Sequence, residues 1–373
     1  METPRPLDII RNLSSVLIIR LNDIGEVVMT LPSVDAVRRA LPAARIGVLV
    51  SPPCHELFLH DERVNQVFVF EKKLWRERPT ARGIKQLITL LRDLRRNRFD
   101  VAIDLHNNPS THWLALASGA RFRVSLDSNY WSRRLLSRRI PVEPSAEGMH
   151  NVERHFHVLS SVGIATRGAE YSFALDVEAK ARVEASLKQE TQPGRPRILL
   201  QPGAGLPERC WPVQRFAELA ERLMREIGAQ VVVHCGPNED HLGQRIHQEV
   251  RQPVILARRL SLQELAGLLT ECDLLVTNDS GPMHLAAAVG TPIVAIFGPT
   301  DPRWCGPFGA RAEIVTRNLD CSPCGVEKFA CVRRDCLTQI PVDEVHQAVL
   351  RLLRTQRNQT DQESPEIASA GAS

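Results

Sequence analysis

The sequence contains few aromatic residues and no long hydrophobic run. Only 5% of its 373 residues are Phe, Trp or Tyr, which argues against the stacking platforms that bind single-stranded nucleic acid. No apolar segment approaches the roughly 20 residues that a membrane-spanning helix needs. The N-terminal stretch METPRPLDIIRNLSS also lacks the apolar centre of a secretory signal peptide. We therefore expect a cytoplasmic protein.

Net charge is also small, at +4, but it is unevenly distributed along the chain. Between Arg63 and Ile140 there are 17 Lys and Arg residues and only 6 Asp and Glu residues. Any single arginine among them is most simply part of a solvated helix surface. Together they give the first half a basic face, which could meet nucleic acid, anionic lipid headgroups or an acidic glycan.

Short apolar segments alternate with amphipathic helical patterns along most of the chain. This alternation predicts parallel sheets with helices on both faces, and the length suggests two domains. The Pro- and Gly-containing segment Thr191–Pro196 is the expected linker. We therefore predict an α/β protein with one domain over 1–190, a second over 196–355, and a disordered polar tail over 356–373.

The segment VTNDSGPMHLAAA indicates a binding site in the second domain. A buried strand, Asp273–Thr277, is expected to lead into Asn278–Gly281, with a helix starting at about Pro282. Open backbone N–H groups at Ser280 and Gly281, at the positive end of a helix, favour a phosphate. Asp279 suits sugar hydroxyls and His284 could donate to a phosphate. The simpler alternative is that Asp279 or Ser280 only caps the helix.

Other predicted strands also end in glycine, proline or polar residues. Carboxyl ends of parallel strands meet at one edge of a sheet, and glycine lets backbone approach a ligand there. We therefore expect two doubly wound domains whose edges face each other across a cleft. The strand ends concerned are Pro202–Gly205, Gly236–Glu239 and Gly298–Thr300 in the second domain, and Gly25–Glu26 and His106–Asn107 in the first.

Four motifs, in order, resemble the bacterial lipopolysaccharide heptosyltransferases of glycosyltransferase family 9. They are RLNDIGEVVMTLP, QPGAGLPERCWP, GPNED and NDSGPMHLAAAVGTPIVAIFGPTDP, and the resemblance spans roughly Val16 to Leu353. It implies a GT-B fold of two Rossmann-like domains, with an N-terminal acceptor domain, a C-terminal nucleotide-sugar domain and a C-terminal helix that crosses back.

The same resemblance implies a reaction and its partners. The reaction is inverting transfer of heptose from ADP-heptose to the inner core of lipopolysaccharide, with no cofactor or metal required for the chemistry. The acceptor is anionic and lipid-linked, so peripheral contact with the cytoplasmic face of the inner membrane is expected. No nucleic acid is expected as a partner.

Several roles follow from the resemblance residue by residue. Glu26 stands where the family usually has a catalytic Asp and would be the general base, because an inverting transfer needs one carboxylate at the attacking oxygen. Arg209 stands where the family often has Lys and would stabilise the leaving diphosphate. Asp279 would hold the heptose hydroxyls. The Ser280 and Gly281 amides would hold the phosphates, with His284 close by.

The remaining site residues carry less specific signals. Glu239 would meet the ribose hydroxyls, and Gly203 would line the donor loop. Arg20 and Asn107 would contact the acceptor. Asp23 and Asp104 are alternative carboxylates for the base, although Asp23 also suits a loop or capping position.

The nine cysteines include four that are close in sequence: Cys321, Cys324, Cys331 and Cys336. Such crowding is compatible with a structural zinc or iron site, but the spacing is not that of a standard zinc finger. Four free thiols are the alternative. A metal there would brace the loop over the nucleotide site rather than take part in the chemistry.

Three other functions compete with the inner-core heptosyltransferase. The chain could act on another glycan or on a protein acceptor. Glu26 in place of Asp could mark a non-catalytic homologue that only binds nucleotide or glycan, and the four cysteines alone could indicate a metal or redox module. A nicotinamide dehydrogenase is disfavoured, because no GxGxxG motif follows the first strand.

Overall fold

The computed structural model describes residues 13–71, 80–142, 148–324, 331 and 333–363, and the chain divides into two compact units. The first unit spans Met1–Ala174 and the second Leu175–Ser373. Each contains a six-stranded sheet whose strands pair in parallel. Two doubly wound parallel sheets confirm the predicted fold class.

The first unit has the strand order β3-β2-β1-β4-β5-β6, so the winding direction reverses between β1 and β4. Its strands are β1 Ser15–Ile19, β2 Arg45–Val50, β3 Gln66–Val69, β4 Val101–Asp104, β5 Phe122–Leu126 and β6 Arg138–Ile140. Its α-helices are α1 Ile24–Val28, α2 Leu31–Ala40, α3 Ala81–Arg96, α4 Pro109–Ala117 and α5 Asn151–Ser161.

The second unit repeats this winding, with the order β12-β11-β10-β7-β8-β9 and a reversal between β7 and β10. Its strands are β7 Arg197–Gln201, β8 Gln230–Cys235, β9 Ile255–Arg258, β10 Leu274–Asn278, β11 Ile293–Ile296 and β12 Ala312–Val315. Its helices are α6 Val177–Glu190, α7 Val213–Ile227, α8 Asp240–Glu249, α9 Leu262–Thr270, α10 Gly281–Val289, α11 Pro302–Cys305, α12 Asp335–Thr338 and α13 Val342–Glu363.

The central strands are buried because helices cover both sheet faces. Every residue of β1 and β10 is buried, which explains their nearly uninterrupted apolar sequences. Helix α7 packs an apolar face on the second sheet, and that face was expected from the sequence pattern; its residues are Phe216, Leu219, Ala220 and Leu223. Ser261 with Glu264 three residues later predicts a capping box, which α9 confirms, since each side chain accepts from the other's backbone N–H.

The division between the units falls earlier than the predicted boundary at 190–196. Helix α6, assigned from sequence to the first domain, packs against α9 of the second unit. Gly267 makes this contact close, because a Cβ there would lie 3.0 Å from Lys180 Cα. Asp176 N–H also donates to Gln263 Oε1 at 2.8 Å. The segment Thr191–Pro196 is therefore a connection inside the second unit.

The C-terminal helix is longer than predicted. Helix α13 was expected to end near Arg354, with disorder from 356, but it continues to Glu363. The added residues include no Gly or Pro, and Gln and Glu are favourable helix formers. Residues 364–373 of the predicted tail lie outside the described residues. The expected return of α13 toward the first unit stays a prediction.

Within the described ranges, none of the helices combines the length and the apolar character that crossing a membrane would require.

Candidate functional site

Most of the predicted site residues lie where the strand order of each sheet reverses. In open α/β sheets, ligands bind at the carboxyl edge at this switch point. In the first unit, Arg20 follows β1 and Leu105 follows β4. In the second unit, Pro202 follows β7 and Asp279 follows β10. The sequence motifs and the topology thus select the same positions independently.

The N-terminus of α10 is built as an anion-binding end. Ser280 occupies the N-cap position, but its hydroxyl contacts Thr277 Oγ1 at 2.9 Å rather than capping the helix. Because Thr277 Oγ1 donates to the Asn278 carbonyl, Ser280 is the donor in this pair. His284 is buried in the first turn. The purely capping interpretation of Ser280 is therefore wrong, and the helix end keeps its positive dipole toward the switch point.

Asp279 lies beside this helix end and forms an ion pair with Arg209. Arg209 Nη1 lies 3.1 Å from Asp279 Oδ2, and Thr300 Oγ1 donates to the same oxygen at 2.6 Å. Burial raises the pKa of the Asp279 carboxyl above its ordinary value, and Arg209 and Thr300 oppose that rise. The structure thus brings together the predicted leaving-group cation and the predicted sugar-binding carboxylate.

The loop that carries Arg209 is fastened to β10 by Asn278, a residue to which sequence reasoning gave no role. Asn278 Nδ2 donates to the Pro202 carbonyl at 2.8 Å, and its Oδ1 accepts from Trp211 N–H at 2.9 Å. Trp211 is buried, and its indole N–H donates to the Ile340 carbonyl at 3.1 Å. Both ends of the loop are therefore fixed, which positions Arg209 between them.

Glu239 closes directly over Gly203. A Cβ added at Gly203 would overlap the Glu239 carboxylate, which would then have to move. The same carboxylate oxygen accepts from Gly236 N–H at 3.0 Å and from Gln201 Nε2 at 3.4 Å. Burial raises the pKa of Glu239, and these hydrogen bonds oppose the rise.

Two buried polar residues behind Glu239 were not predicted. Gln201 Oε1 pairs with Nδ1 of His234, and burial lowers the pKa of that imidazole to about 4. His234 is therefore neutral near pH 7 and donates from Nδ1, which turns the Gln201 amide nitrogen toward Glu239. The sequence feature that could have identified them is a polar side chain at the buried end of each strand, Gln201 in β7 and His234 in β8.

A cavity of about 380 Å³ opens beside Glu239. Its volume falls within the range of pockets that hold small ligands. The loop after β7, the start of α7 and helices α8 and α12 surround it. Lining residues include Ala204, Cys210, Trp211, His241, Arg245 and Arg334.

In the first unit, Arg20 lies at the switch point. Its guanidinium is buried and forms an ion pair with Glu26 and a hydrogen bond to the Leu105 carbonyl. The sequence predicts a loop over Asn22–Glu26, but Glu26 lies in the short helix α1, and its side chain is 30% exposed. Because Arg20 is held by the main chain at the end of β4, it can fix the position of the Glu26 carboxylate.

Asp104, the last residue of β4, interacts electrostatically with Arg20 and is fully buried. Its Oδ1 accepts from the N–H groups of His106 and Asn107 at 2.9 and 3.1 Å. Burial raises the pKa of Asp104 to about 6, which the hydrogen bonds and Arg20 oppose. An enclosed carboxylate cannot reach an acceptor hydroxyl, so Asp104 is unsuited to be the alternative base. Asp23 is exposed at the N-cap of α1.

Asn107 is held in an uncommon backbone conformation, with φ of 56°. Its side-chain oxygen contacts His112 Nε2 at 3.2 Å, and His112 Nδ1 contacts Ser132 Oγ at 2.8 Å. His112 is buried in α4, and its Nε2 also lies 3.7 Å from Asp104 Oδ2. The predicted acceptor residue is thus fixed by a network that includes Asp104 and His112.

The four cysteines lie near one another in the second unit. The thiols of Cys324, Cys331 and Cys321 all act on Cys336, whose pKa is raised first by burial and then by them. Among the described residues, however, no three Cys, His, Asp or Glu side chains are arranged to hold a metal. A zinc or iron ion at these four cysteines stays a prediction.

The segment with the first two cysteines still braces the carboxyl edge of the second sheet. Ser322 Oγ donates to the Gly298 carbonyl at 2.6 Å, and Cys324 N–H donates to the Pro299 carbonyl at 3.1 Å. The next residue, Thr300, is the one that donates to Asp279. Protein hydrogen bonds therefore connect this segment to the loop that holds Asp279.

Two doubly wound units, the second with an arginine, a buried carboxylate and a helix N-terminus at its switch point, define a glycosyltransferase of the GT-B class. The family model for glycosyltransferase family 9 (heptosyltransferase) matches residues 87–331. The chain belongs to this family.

Known proteins of this family cover most of the chain. Lipopolysaccharide heptosyltransferase 3 of Escherichia coli is 25% identical over 286 residues, which cover 74% of this chain and 81% of that protein. The family 9 glycosyl transferase of Veillonella parvula is 24% identical with a TM-score of 0.81, covering 92% of this chain and 98% of that one. The E. coli heptosyltransferase WaaC with ADP-2-deoxy-2-fluoro heptose is 19% identical with a TM-score of 0.70, covering 90% and 99%.

Proposed function

We propose that this protein transfers heptose from ADP-heptose to the inner core of lipopolysaccharide, with inversion at the anomeric carbon. The observation that carries the proposal is the Arg209–Asp279 pair at the N-terminus of α10. This arrangement offers a cation, open helix amides and a carboxylate, which are the groups that a diphosphate and a hydroxyl-rich sugar need. The family membership and the relatives named above support heptose as that sugar.

The second unit would bind the donor. The amides of Ser280 and Gly281 would contact the phosphates at the positive end of α10, with His284 in the same turn. Asp279 would accept from heptose hydroxyls. Glu239 would accept from the ribose hydroxyls, because Gly203 leaves room for its carboxylate at the end of β7.

The first unit would supply the general base and acceptor contacts. Glu26 would take the proton of the acceptor hydroxyl while that oxygen bonds to the anomeric carbon from the face opposite the diphosphate. The bond from the anomeric carbon to the diphosphate oxygen then breaks, and ADP leaves with its charge stabilised by Arg209 and the helix amides. Arg20 would orient Glu26, and Asn107 would contact the acceptor. The proposed chemistry requires no metal.

The test is ADP release by the purified protein with ADP-heptose, measured with and without heptose-deficient lipopolysaccharide. We expect acceptor-dependent release, and an anomeric configuration in the product opposite to that of the donor by proton NMR. ADP-glucose and UDP-glucose serve as alternative donors, which should be transferred far more slowly.

Asp279→Ala should abolish this release. The control is Asp343→Ala, which removes a carboxylate whose side chain is 67% exposed on α13 and should leave release unchanged. Donor binding without release to any core acceptor would contradict the inner-core assignment, and would favour another acceptor or a non-catalytic homologue. A retained anomeric configuration would contradict the inverting mechanism.

A further inference from the structure

The first unit exposes a cluster of large apolar side chains that we call the aromatic patch. It consists of Trp113 and Leu116 on α4 and of Tyr130 and Trp131 at the start of the 3-10 turn Trp131–Leu135. Trp113 is 49% exposed and Trp131 is 65% exposed. Their rings meet edge to face with centroids 6.2 Å apart. Exposed apolar side chains that lie together mark an interaction surface.

The fold does not require these side chains. Helix α4 already contributes a separate buried face through Thr111, His112, Leu114 and Ala115. Trp113 and Leu116 are three residues apart, so they share a second face of the same helix. Burying one face of this helix is sufficient to attach it to the sheet. The aromatic patch is therefore available for a partner.

The charge around the patch is positive. Arg134 is exposed on the same 3-10 turn as Trp131. Arg95, also exposed, donates from Nε to the Ala117 carbonyl at 3.1 Å, which places it at the end of α4 beside Leu116. The nearby Asp127 carboxylate is paired with Arg133 at 3.3 Å. The patch also lies inside the segment with 17 basic and 6 acidic residues.

Tryptophan and tyrosine favour the headgroup level of a bilayer, where an apolar ring and a polar atom are both satisfied. Arginine next to them is attracted by anionic lipid headgroups. We propose that the aromatic patch docks this protein on an anionic phospholipid bilayer, with Trp113 and Trp131 entering the headgroup region and Arg134 and Arg95 contacting lipid phosphates.

The patch is connected to the acceptor residues by direct contacts. Ser132, next to Trp131, contacts His112, and His112 contacts Asn107. The docking surface is thus linked to the predicted acceptor contact through two buried side chains. This inference deepens the proposed function, because a lipid-linked acceptor would then be presented at the surface on which the enzyme sits.

The experiment is flotation of the purified full chain with vesicles, in the absence of donor and acceptor. Vesicles of phosphatidylcholine and phosphatidylglycerol are compared with vesicles of phosphatidylcholine alone. We expect binding to the anionic vesicles that weakens as salt is raised. Partitioning should fall by at least about tenfold in Trp113→Ala/Trp131→Ala and by about fivefold in Arg134→Gln.

Matched controls distinguish the effect of the aromatic patch from that of any exposed tryptophan. Trp304 is 45% exposed on α11 of the second unit, and Trp304→Ala should float like the wild type. If the alanine double variant fails to fold by circular dichroism, Trp113→Phe/Trp131→Phe replaces it. That variant should still bind, but quenching of tryptophan fluorescence by acyl-brominated lipids should be largely lost.

Three outcomes would overturn the proposal. The first is that the wild type does not float with anionic vesicles. The second is that the patch variants float as well as the wild type. The third is that the patch variants change the oligomeric state. The last would identify a contact between copies of this chain. Because no step uses substrate, these outcomes are independent of whether the protein transfers heptose.

Discussion

The two units have the same strand order and place an arginine–carboxylate pair at the same position, but they present opposite charges. In the first unit, the Arg20 side chain is 9% exposed and its partner Glu26 is 30% exposed. In the second unit the relation is reversed, since Asp279 is 5% exposed and Arg209 is 26% exposed. The exposed partner is a carboxylate in one unit and a cation in the other.

This reversal shows how one architecture supports two chemical tasks. A buried arginine, held by the Leu105 carbonyl, positions an accessible carboxylate that can accept a proton. A buried aspartate, held by Thr300, positions an accessible guanidinium that can meet a diphosphate. The topology fixes where the pair lies, and the local partners decide which member faces the ligand.

Removing the exposed carboxylate of the first unit should have the largest effect. Glu26→Gln keeps the size of the side chain but cannot accept the acceptor's proton, so we expect kcat to fall roughly a thousandfold. The measurement is acceptor-dependent ADP release, with donor binding checked by calorimetry. Glu26→Asp should keep activity within about tenfold, because a carboxylate remains.

Equal activity in Glu26→Gln and the wild type would remove Glu26 from the base role. Donor affinity should be the same in all three proteins, since the donor contacts belong to the second unit. A loss of donor affinity in Glu26→Gln would therefore contradict the separation of roles between the units.

Removing the exposed cation of the second unit should have the next largest effect. Arg209→Gln leaves Asp279 without its ion-pair partner and takes positive charge away from the leaving diphosphate, so we expect kcat/KM to fall roughly a hundredfold. Arg209→Lys should recover part of this loss. Arg225→Gln, at an exposed position on α7, is the control. A loss confined to acceptor affinity would contradict the assignment.

Asp104, the buried carboxylate that interacts with Arg20, should make the stability of the protein depend on pH. Burial raises the pKa of Asp104 from 3.8 to about 6, so the folded protein binds this proton more tightly than the unfolded chain does. The resulting stability is present below pH 4 and is lost as the pH rises through 6. Relative to Asp104→Asn, the wild type should lose about 2 kcal/mol of unfolding free energy between pH 4 and pH 7, measured by urea denaturation.

Asp100, which directly precedes β4, is the matched control because its pKa is shifted in the opposite direction. Burial would raise its pKa, but hydrogen bonds from Ser14 and Ser15 outweigh burial and the pKa is lowered. Relative to Asp100→Asn, the wild type should therefore lose stability as the pH falls below 4. The same pH trend in both comparisons would contradict the burial argument for Asp104.

The sequence was sufficient to predict the fold class and the strands of the core, because uninterrupted apolar segments such as Ser15–Ile19 can only be buried. It was insufficient for β6, where Arg138 and Arg139 fill two of three positions at the sheet edge. Helix α4 was also missed, since Trp113 and Leu116 on its exposed face blur the amphipathic pattern. The early unit boundary depends on the α6–α9 contact, which is not encoded locally.

The candidate site was partly predictable for a related reason. Strand ends converge in any parallel sheet, so Asp279 and Glu239 could be placed at one edge from their positions alone. The residues that orient them could not, because Asn278, Gln201 and His234 act through contacts between separate strands and loops. The metal prediction stays open, since spacing along the chain does not fix how thiols converge.

The smallest predicted effect tests the fit of Glu239 over the donor loop. Gly203→Ala places a methyl group where the Glu239 carboxylate lies, and the carboxylate must move. We expect the KM for ADP-heptose to rise about tenfold with kcat nearly unchanged, because uniform binding is lost. Gly205→Ala lies two residues away in the same loop, and its added Cβ meets nothing within 4 Å. Equal behaviour of the two variants would show that Glu239 does not contact the donor.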